Sequence, residues 1–204
     1  KPLLAYTCQA ALECSSLSSV ILSTDDEEIA DVGKNLGVTV PFLRPAHLSS
    51  DTSSTVSVLQ HALSYLEGQN ITATALVLLQ PTSPLRTSQH IQEAIDLFLK
   101  TGAESVVSLV EVPHQFNPVS VFRLQDSGIV SPFIQNQEPI LRRQDKPRVF
   151  ARNGPSILVI KPALIKEGVL YGNKTVGYLM DLYSSIDIDI PWDLEMASFF
   201  MKNR

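Results

Sequence analysis

Apolar and polar positions divide this chain into short apolar runs separated by stretches of helical period. Residues 75–79 (ALVLL) form an unbroken apolar run, as expected of a strand buried on both faces of a parallel sheet. The residues behind it, QPTSPLR, break the pattern. Pro81 and Pro84 cannot continue a ladder, so the chain must leave the sheet there. A rigid polar loop is therefore expected at the carboxyl end of a central strand, the edge at which open α/β sheets bind ligands. A buried strand followed by an ordinary connection accounts for the same residues.

Similar units flank this stretch. Residues 2–13 read as a helix with Pro2 in its first turn, and residues 19–23 as a short strand. Thr24 and Glu27 have capping-box spacing, and the acidic run that follows Thr24 favours a helix start. Gly37 supplies a left-handed stop, and residues 38–40 read as a second short strand. Val56, Leu59, Leu63 and Leu66 recur at helical spacing, in a helix that Gly68 stops. Thr87 or Ser88 caps another helix, with Ile91, Ala94, Ile95 and Phe98 facing inward and Gly102 at its end. Residues 105–112 form a further strand. Strands alternating with helices of this length predict right-handed βαβ units and a single α/β domain over residues 1–204, with a mostly parallel, Rossmann-like sheet.

From Pro113 to Arg148 the chain is polar, proline-bearing and poor in helix signals. It reads as an insertion that leaves the sheet, with residues 119–124 and Asp126-Ser-Gly128 forming a hairpin arm. Strands are expected again at residues 157–160 and 175–180, a short helix at 162–167 and a closing helix at 193–201. Residues 185–190 (SIDIDI) alternate strictly. As a strand they would turn Ile186, Ile188 and Ile190 to the core and Asp187 and Asp189 together to the other side. Those two Cα atoms would lie roughly 6.5–7 Å apart, close enough for one hard cation to meet both carboxylates. A solvated edge strand fits the same spacing.

Composition narrows the classes. With 21 acidic against 16 basic residues the net charge is -5, which argues against a nucleic-acid surface but leaves room for a nucleotide held by local arginines. No apolar run reaches membrane-spanning length and no signal-peptide layout opens the sequence, so a cytoplasmic protein is the expectation. Cys8 and Cys14, six residues apart on one helix, point to different faces and are expected to be free thiols. The scattered histidines have no metal-ligand spacing. Neither a nucleophile elbow nor a Walker-type or G-x-G-x-x-G loop is present. Arg44, ahead of DTSST, suits base or phosphate binding, although these residues also suffice as a helix cap. Arg142-Arg143-Gln144 suits carboxylate or phosphate recognition, or a solvated loop.

Six stretches, KPLLAYT, STDDEEIA, FLRPAHLSSDTSST, LLQPTSPLRT, RRQDKPRVFARNG and SIDIDIPWDLEMA, together resemble, in family order, the CMP-nonulosonate synthetases. These are the cytidylyltransferases of sialic, legionaminic and pseudaminic acids. The resemblance implies a three-layer nucleotidyltransferase fold in which a sugar acid attacks the α-phosphorus of CTP and expels pyrophosphate. Asp187 and Asp189 would hold Mg²⁺, with one of them in position to take the proton. Arg44, Ser53 and Thr55 would bind the cytidine. Gln80 and Tyr171 would contact the sugar acid. The arm at 113–148 would form a homodimer, or part of a tetramer, sending Arg142, Arg143 and Gln144 toward the partner's site. Pro155 stands where the family favours a small residue. Lys1-Pro2 corresponds to the segment just after the family's glycine-, arginine- and lysine-bearing phosphate loop, so the chain as given is expected to lack that loop. The alternatives are a 3-deoxy-manno-octulosonate type of nucleotidyltransferase and a non-catalytic dimeric binding module.

Overall fold

The computed structural model describes residues 1–50, 52–135, 140 and 142–203. Its main sheet contains β1 (Leu76–Leu78), β2 (Ser105–Glu111), β5 (Phe150–Arg152), β6 (Leu158–Ile160) and β7 (Thr175–Met180). β6 lies reversed between β1 and β2, while β7 pairs parallel to β2. β5 pairs antiparallel to the far end of β2. Thus β1, β2 and β7 share one direction, but β5 and β6 oppose them and three of this sheet's four strand pairings among the described residues are antiparallel, so the expectation of a mostly parallel sheet is corrected to a mixed one.

The period-2 alternation of the strands sorts the core onto two faces. Ile157, Val159 and Val106 pack against α1 (Leu3–Leu12) and α4 (Ser88–Thr101), where Ala10, Ile91, Ala94, Ile95 and Phe98 are buried together with Cys14, which lies just beyond α1 rather than on the same helix as Cys8. Leu158, Ile160 and Val107 face the other way, onto Leu59 and Leu63 of α3 (Thr55–Gly68) and Leu164 and Ile165 of α5 (Pro162–Lys166). Each fully buried Leu, Ile or Val contributes about 1.5–3 kcal/mol, so the two faces give the sheet its position between helical layers. β1 is covered on both faces but only half-buried, and among the described residues it pairs on one edge alone, with β6. The expectation of a fully buried central strand is corrected to that extent.

Thr87 caps α4, accepting from the His90 amide, and Gly102 closes it at φ +61°. Gly37 takes φ +88° after α2 (Glu27–Asn35). The cap of α2, however, is Asp26, which accepts from the Ile29 amide at 2.9 Å, while Thr24 accepts from the Asp26 amide. The helix begins at Glu27, so Asp26 takes the N-cap position and its side chain displaces the Thr24–Glu27 box. The turn after α3 is taken by Asn70 at φ +58° rather than by Gly68, which remains helical. Residues 20–24 and 38–43 run parallel but make only the isolated bridges Ile21–Thr39 and Thr24–Leu43. Cys8 and Cys14 are buried free thiols.

The insertion leaves the sheet as expected. β3 (Phe122–Leu124) and β4 (Val130–Pro132) form a separate hairpin whose turn holds Gly128 at φ +82°. Asn117 donates to the Pro147 carbonyl at 2.8 Å and Lys146 to Ser120 Oγ at 2.6 Å, tying the base of the arm together.

Residues 185–190 are not a strand. They form an extended, unpaired segment between a turn at 182–185 and α6 (Pro191–Lys202), with Ile190 56% exposed rather than turned to the core. The segment is held from outside any ladder. Ile188 N–H donates to the Thr82 carbonyl at 2.9 Å, and Asp193 Oδ2 accepts from the Asp189 and Ile190 amides at 3.0 Å each. Period-2 alternation does not distinguish a ladder strand from an extended segment bonded in this way.

Candidate active site

The loop after β1 is buried rather than open. Ser83, Pro84, Leu85 and Arg86 are all buried, with Arg86 only 3% exposed. The Arg86 guanidinium joins three segments. Its Nη1 donates to the carbonyls of Gln80 (3.1 Å) and Ser156 (2.7 Å), and its Nη2 to Thr7 Oγ1 at 2.6 Å. The end of β1, the lead-in to β6 and the first helix are thereby pinned to one cation. Burial lowers the Arg86 pKa to about 10, a drop opposed by the negative charge of Asp187 and then by Cys8, so it remains a cation at neutral pH. Burial pushes the Cys8 thiol up, and Arg86 opposes that shift.

Gly154 lies where this framework meets the aspartate segment. Its φ is +116°, and a Cβ there would lie 3.3 Å from Asp187 Oδ2, 3.3 Å from Gln80 Oε1 and 2.9 Å from the Ser156 amide nitrogen. Asp187 and Gln80 thus flank one glycine. Asn153 beside it is buried: its Oδ1 accepts from Ser108 Oγ at 2.6 Å and its Nδ2 donates to Ser185 Oγ at 2.9 Å. That second bond ties the 153–156 turn to the start of the aspartate segment. Ser108 Oγ also accepts from the Ile157 amide. Asp187 Oδ1 is buried with no hydrogen-bond partner among the described residues. A buried carboxylate oxygen in that condition is costly unless something satisfies it, and an oxygen-seeking hard cation fits it. Asp189, two residues on, is exposed. Among the described residues no group of three or more His, Cys, Asp or Glu gathers.

The other expected residues fall in three further places. Arg44 donates from Nε to Ser49 Oγ (3.0 Å) and from Nη2 to Asp25 Oδ1 (3.1 Å). Its hydrogen bond holds the Asp25 carboxyl below its usual range. Ser53 Oγ donates to the His47 carbonyl at 3.3 Å, and Thr55 begins α3 behind its cap, Ser54. Phe42 packs edge-on against His61 and Tyr65 of α3, with centroids 4.5 and 5.1 Å away, and fixes this loop to the helix. Arg142, Arg143 and Gln144 lie exposed around the short 3₁₀ turn Arg143–Asp145 in the arm. Asp51 lies outside the described residues. Tyr171 packs on the α3 face of the sheet, and its hydroxyl accepts from Arg152 Nη1 at 2.8 Å. The structure therefore brings Gln80 and Asp187 together and leaves the Arg44 loop, the arm arginines and Tyr171 with neighbours of their own. Sequence reasoning missed Arg86, Asn153 and Gly154. The one available signal was an arginine two residues after the second proline of the loop behind β1.

A sheet between two helical layers is the fold this chain shares with solved cytidylyl-transferring synthases. The match to CMP:2-keto-3-deoxy-manno-octonic acid synthetase, solved with CTP, has a TM-score of 0.69 at 14% identity and covers 100% of this chain and 88% of that one. The chain belongs to the cytidylyltransferase family, whose model matches residues 1–176, and within it to the CMP-nonulosonate synthetases. It is 33% identical to the N-acylneuraminate cytidylyltransferase of Escherichia coli, over 97% of this chain and 45% of that protein. It is 31% identical to the CMP-N,N'-diacetyllegionaminic acid synthase of Legionella pneumophila, over 99% of this chain and 86% of that protein. The chain thus spans less than half of the first relative and most of the second.

Proposed function

We propose that this cytidylyltransferase activates a nonulosonic acid with CTP, giving the CMP-sugar and pyrophosphate. The observation that carries the reading is the convergence of Asp187 and Gln80 on Gly154, locked by Arg86. Asp187 and Asp189 are the residues that would hold Mg²⁺, which when bound offsets charge on the triphosphate. Arg86 supplies a fixed positive charge behind Asp187 and holds Gln80 at the end of β1, so Gln80 can hydrogen-bond a sugar hydroxyl or carboxylate without reorganising. Arg44, with Ser53 and Thr55, is assigned to the cytidine. Such a role requires Arg44 to share its fork between Asp25 and the ligand or to release Asp25. The arm is assigned to a homodimer: Phe122, Leu124, Ile129, Val130 and Phe133 are exposed on it, an apolar surface that an isolated monomer would leave in water. Arg142, Arg143 and Gln144 would then reach the second copy. Buried free thiols and CTP as substrate suit a cytoplasmic protein.

The test is pyrophosphate release from CTP and Mg²⁺ with N-acetylneuraminic, legionaminic and pseudaminic acids, and with an eight-carbon 3-deoxy acid as control. One nonulosonic acid is expected to react, and Asp187→Asn to slow it by about 100-fold or more. No release with any nine-carbon acid defeats the reading, and preference for the eight-carbon acid replaces it.

A further inference from the structure

The ion pairs of the described residues involve Lys34, Arg44, Arg148 and Lys166; Arg152 is in none of them. Arg152 ends β5 and is exposed. Its Nη1 donates to the Tyr171 hydroxyl at 2.8 Å, and its guanidinium carbon stands 5.3 Å from the centroid of the Tyr171 ring. That ring is itself anchored, packing with Leu158 and Ile160 on the α3 face of the sheet. Arg152 is in register with Leu109, which packs in the same cluster, and paired residues share a face. A cation is thus set in one orientation by an anchored aromatic ring, with most of its five N–H donors unused. Two residues further along, in the turn that follows β5, is Gly154, the glycine flanked by Asp187 and Gln80.

We propose that Arg152, oriented by Tyr171, binds the carboxylate of the sugar acid and makes the enzyme select an acid over a neutral sugar. This rests on the function proposed above. A sugar acid entering beside Asp187, Asp189 and a triphosphate adds negative charge to a negative site, and a nearby fixed cation offsets that repulsion. Arginine is suited to the task because its planar fork meets both carboxylate oxygens at once. Tyr171, while accepting from Arg152, keeps its own O–H to donate to a sugar oxygen.

The test is calorimetric binding of N-acetylneuraminic, legionaminic and pseudaminic acids and of their methyl esters to the wild-type protein, Arg152→Gln, Arg152→Lys and Tyr171→Phe, with CTP binding measured alongside. Wild type is expected to favour an acid over its ester. Arg152→Gln is expected to weaken the acid about 10–100-fold, leave the ester and CTP unchanged and so abolish the preference. Arg152→Lys restores part of it, and Tyr171→Phe loses less than Arg152→Gln. An Arg152→Gln protein that still prefers the acid as strongly as wild type overturns the proposal, as does an equal loss for acid and ester. Wild type that binds CTP but none of the acids overturns the proposed function, and the role of Arg152 with it.

Discussion

At Gly154 a side chain has nowhere to go. The backbone φ of +116° excludes an L-residue without strain, and a Cβ would press on Asp187, Gln80 and the Ser156 amide. Gly154→Ala is expected to cost about 1–3 kcal/mol of stability and to lower turnover at least tenfold, read by urea unfolding and pyrophosphate release. Arg86 is the more sensitive position for folding. Arg86→Met would leave the Gln80 and Ser156 carbonyls and the Thr7 hydroxyl buried without their donor, a loss of about 3–5 kcal/mol. A shift in the urea midpoint of less than a third of that would show the network to be dispensable. At this scale Asp187 and Gln80 could be nominated from their neighbours in sequence. Their meeting through Gly154 and Arg86 could not, because it joins residues 7, 80, 86, 154 and 187 across the chain, and no local pattern encodes such a distance.

Elements were the most legible scale. The stripe Ile91, Ala94, Ile95 and Phe98 is buried as its period requires, and Thr87 and Gly102 bound its helix. Thr87→Ala is expected to cost about 1 kcal/mol, measured by thermal or urea unfolding. The same helix reaches the sheet through Glu93, whose carboxylate accepts from Tyr178 Oη at 2.6 Å. That bond, and then one from Gln89, holds Glu93 below its ordinary value of 4.5. Its contribution is therefore fully present above about pH 4.5 and is lost as pH falls through the lower folded value. Urea midpoints of wild type and Glu93→Gln should differ at neutral pH and converge in acid; parallel curves would remove Glu93 from the acid response. What failed at this scale was SIDIDI. An alternating pattern specifies an extended backbone, but the partners that fix the segment, the Thr82 carbonyl and Asp193, lie outside the pattern.

Across the whole molecule, the change of character at Pro113 coincides with the separate β3–β4 hairpin, because a segment without a core-facing period cannot join the sheet. Leu124 is 74% exposed at its tip. Phe122→Asp with Leu124→Asp is expected to convert the proposed dimer to monomer in sedimentation experiments while leaving the fold intact; an unchanged mass would remove the arm from the interface. The reversed position of β6 could not be read in advance, since apolar content does not encode strand direction.

That reversed strand also governs when the protein can form. β6 fills the place between β1 and β2, pairing Leu76 with Ile160, so two strands made early wait for one made more than eighty residues after the first. A ribosome-bound chain halted before residue 150 should remain protease-sensitive throughout, and one extended past residue 180 and clear of the exit tunnel should become resistant. During the interval the edges of β1 and β2 that β6 will cover stand open to other chains.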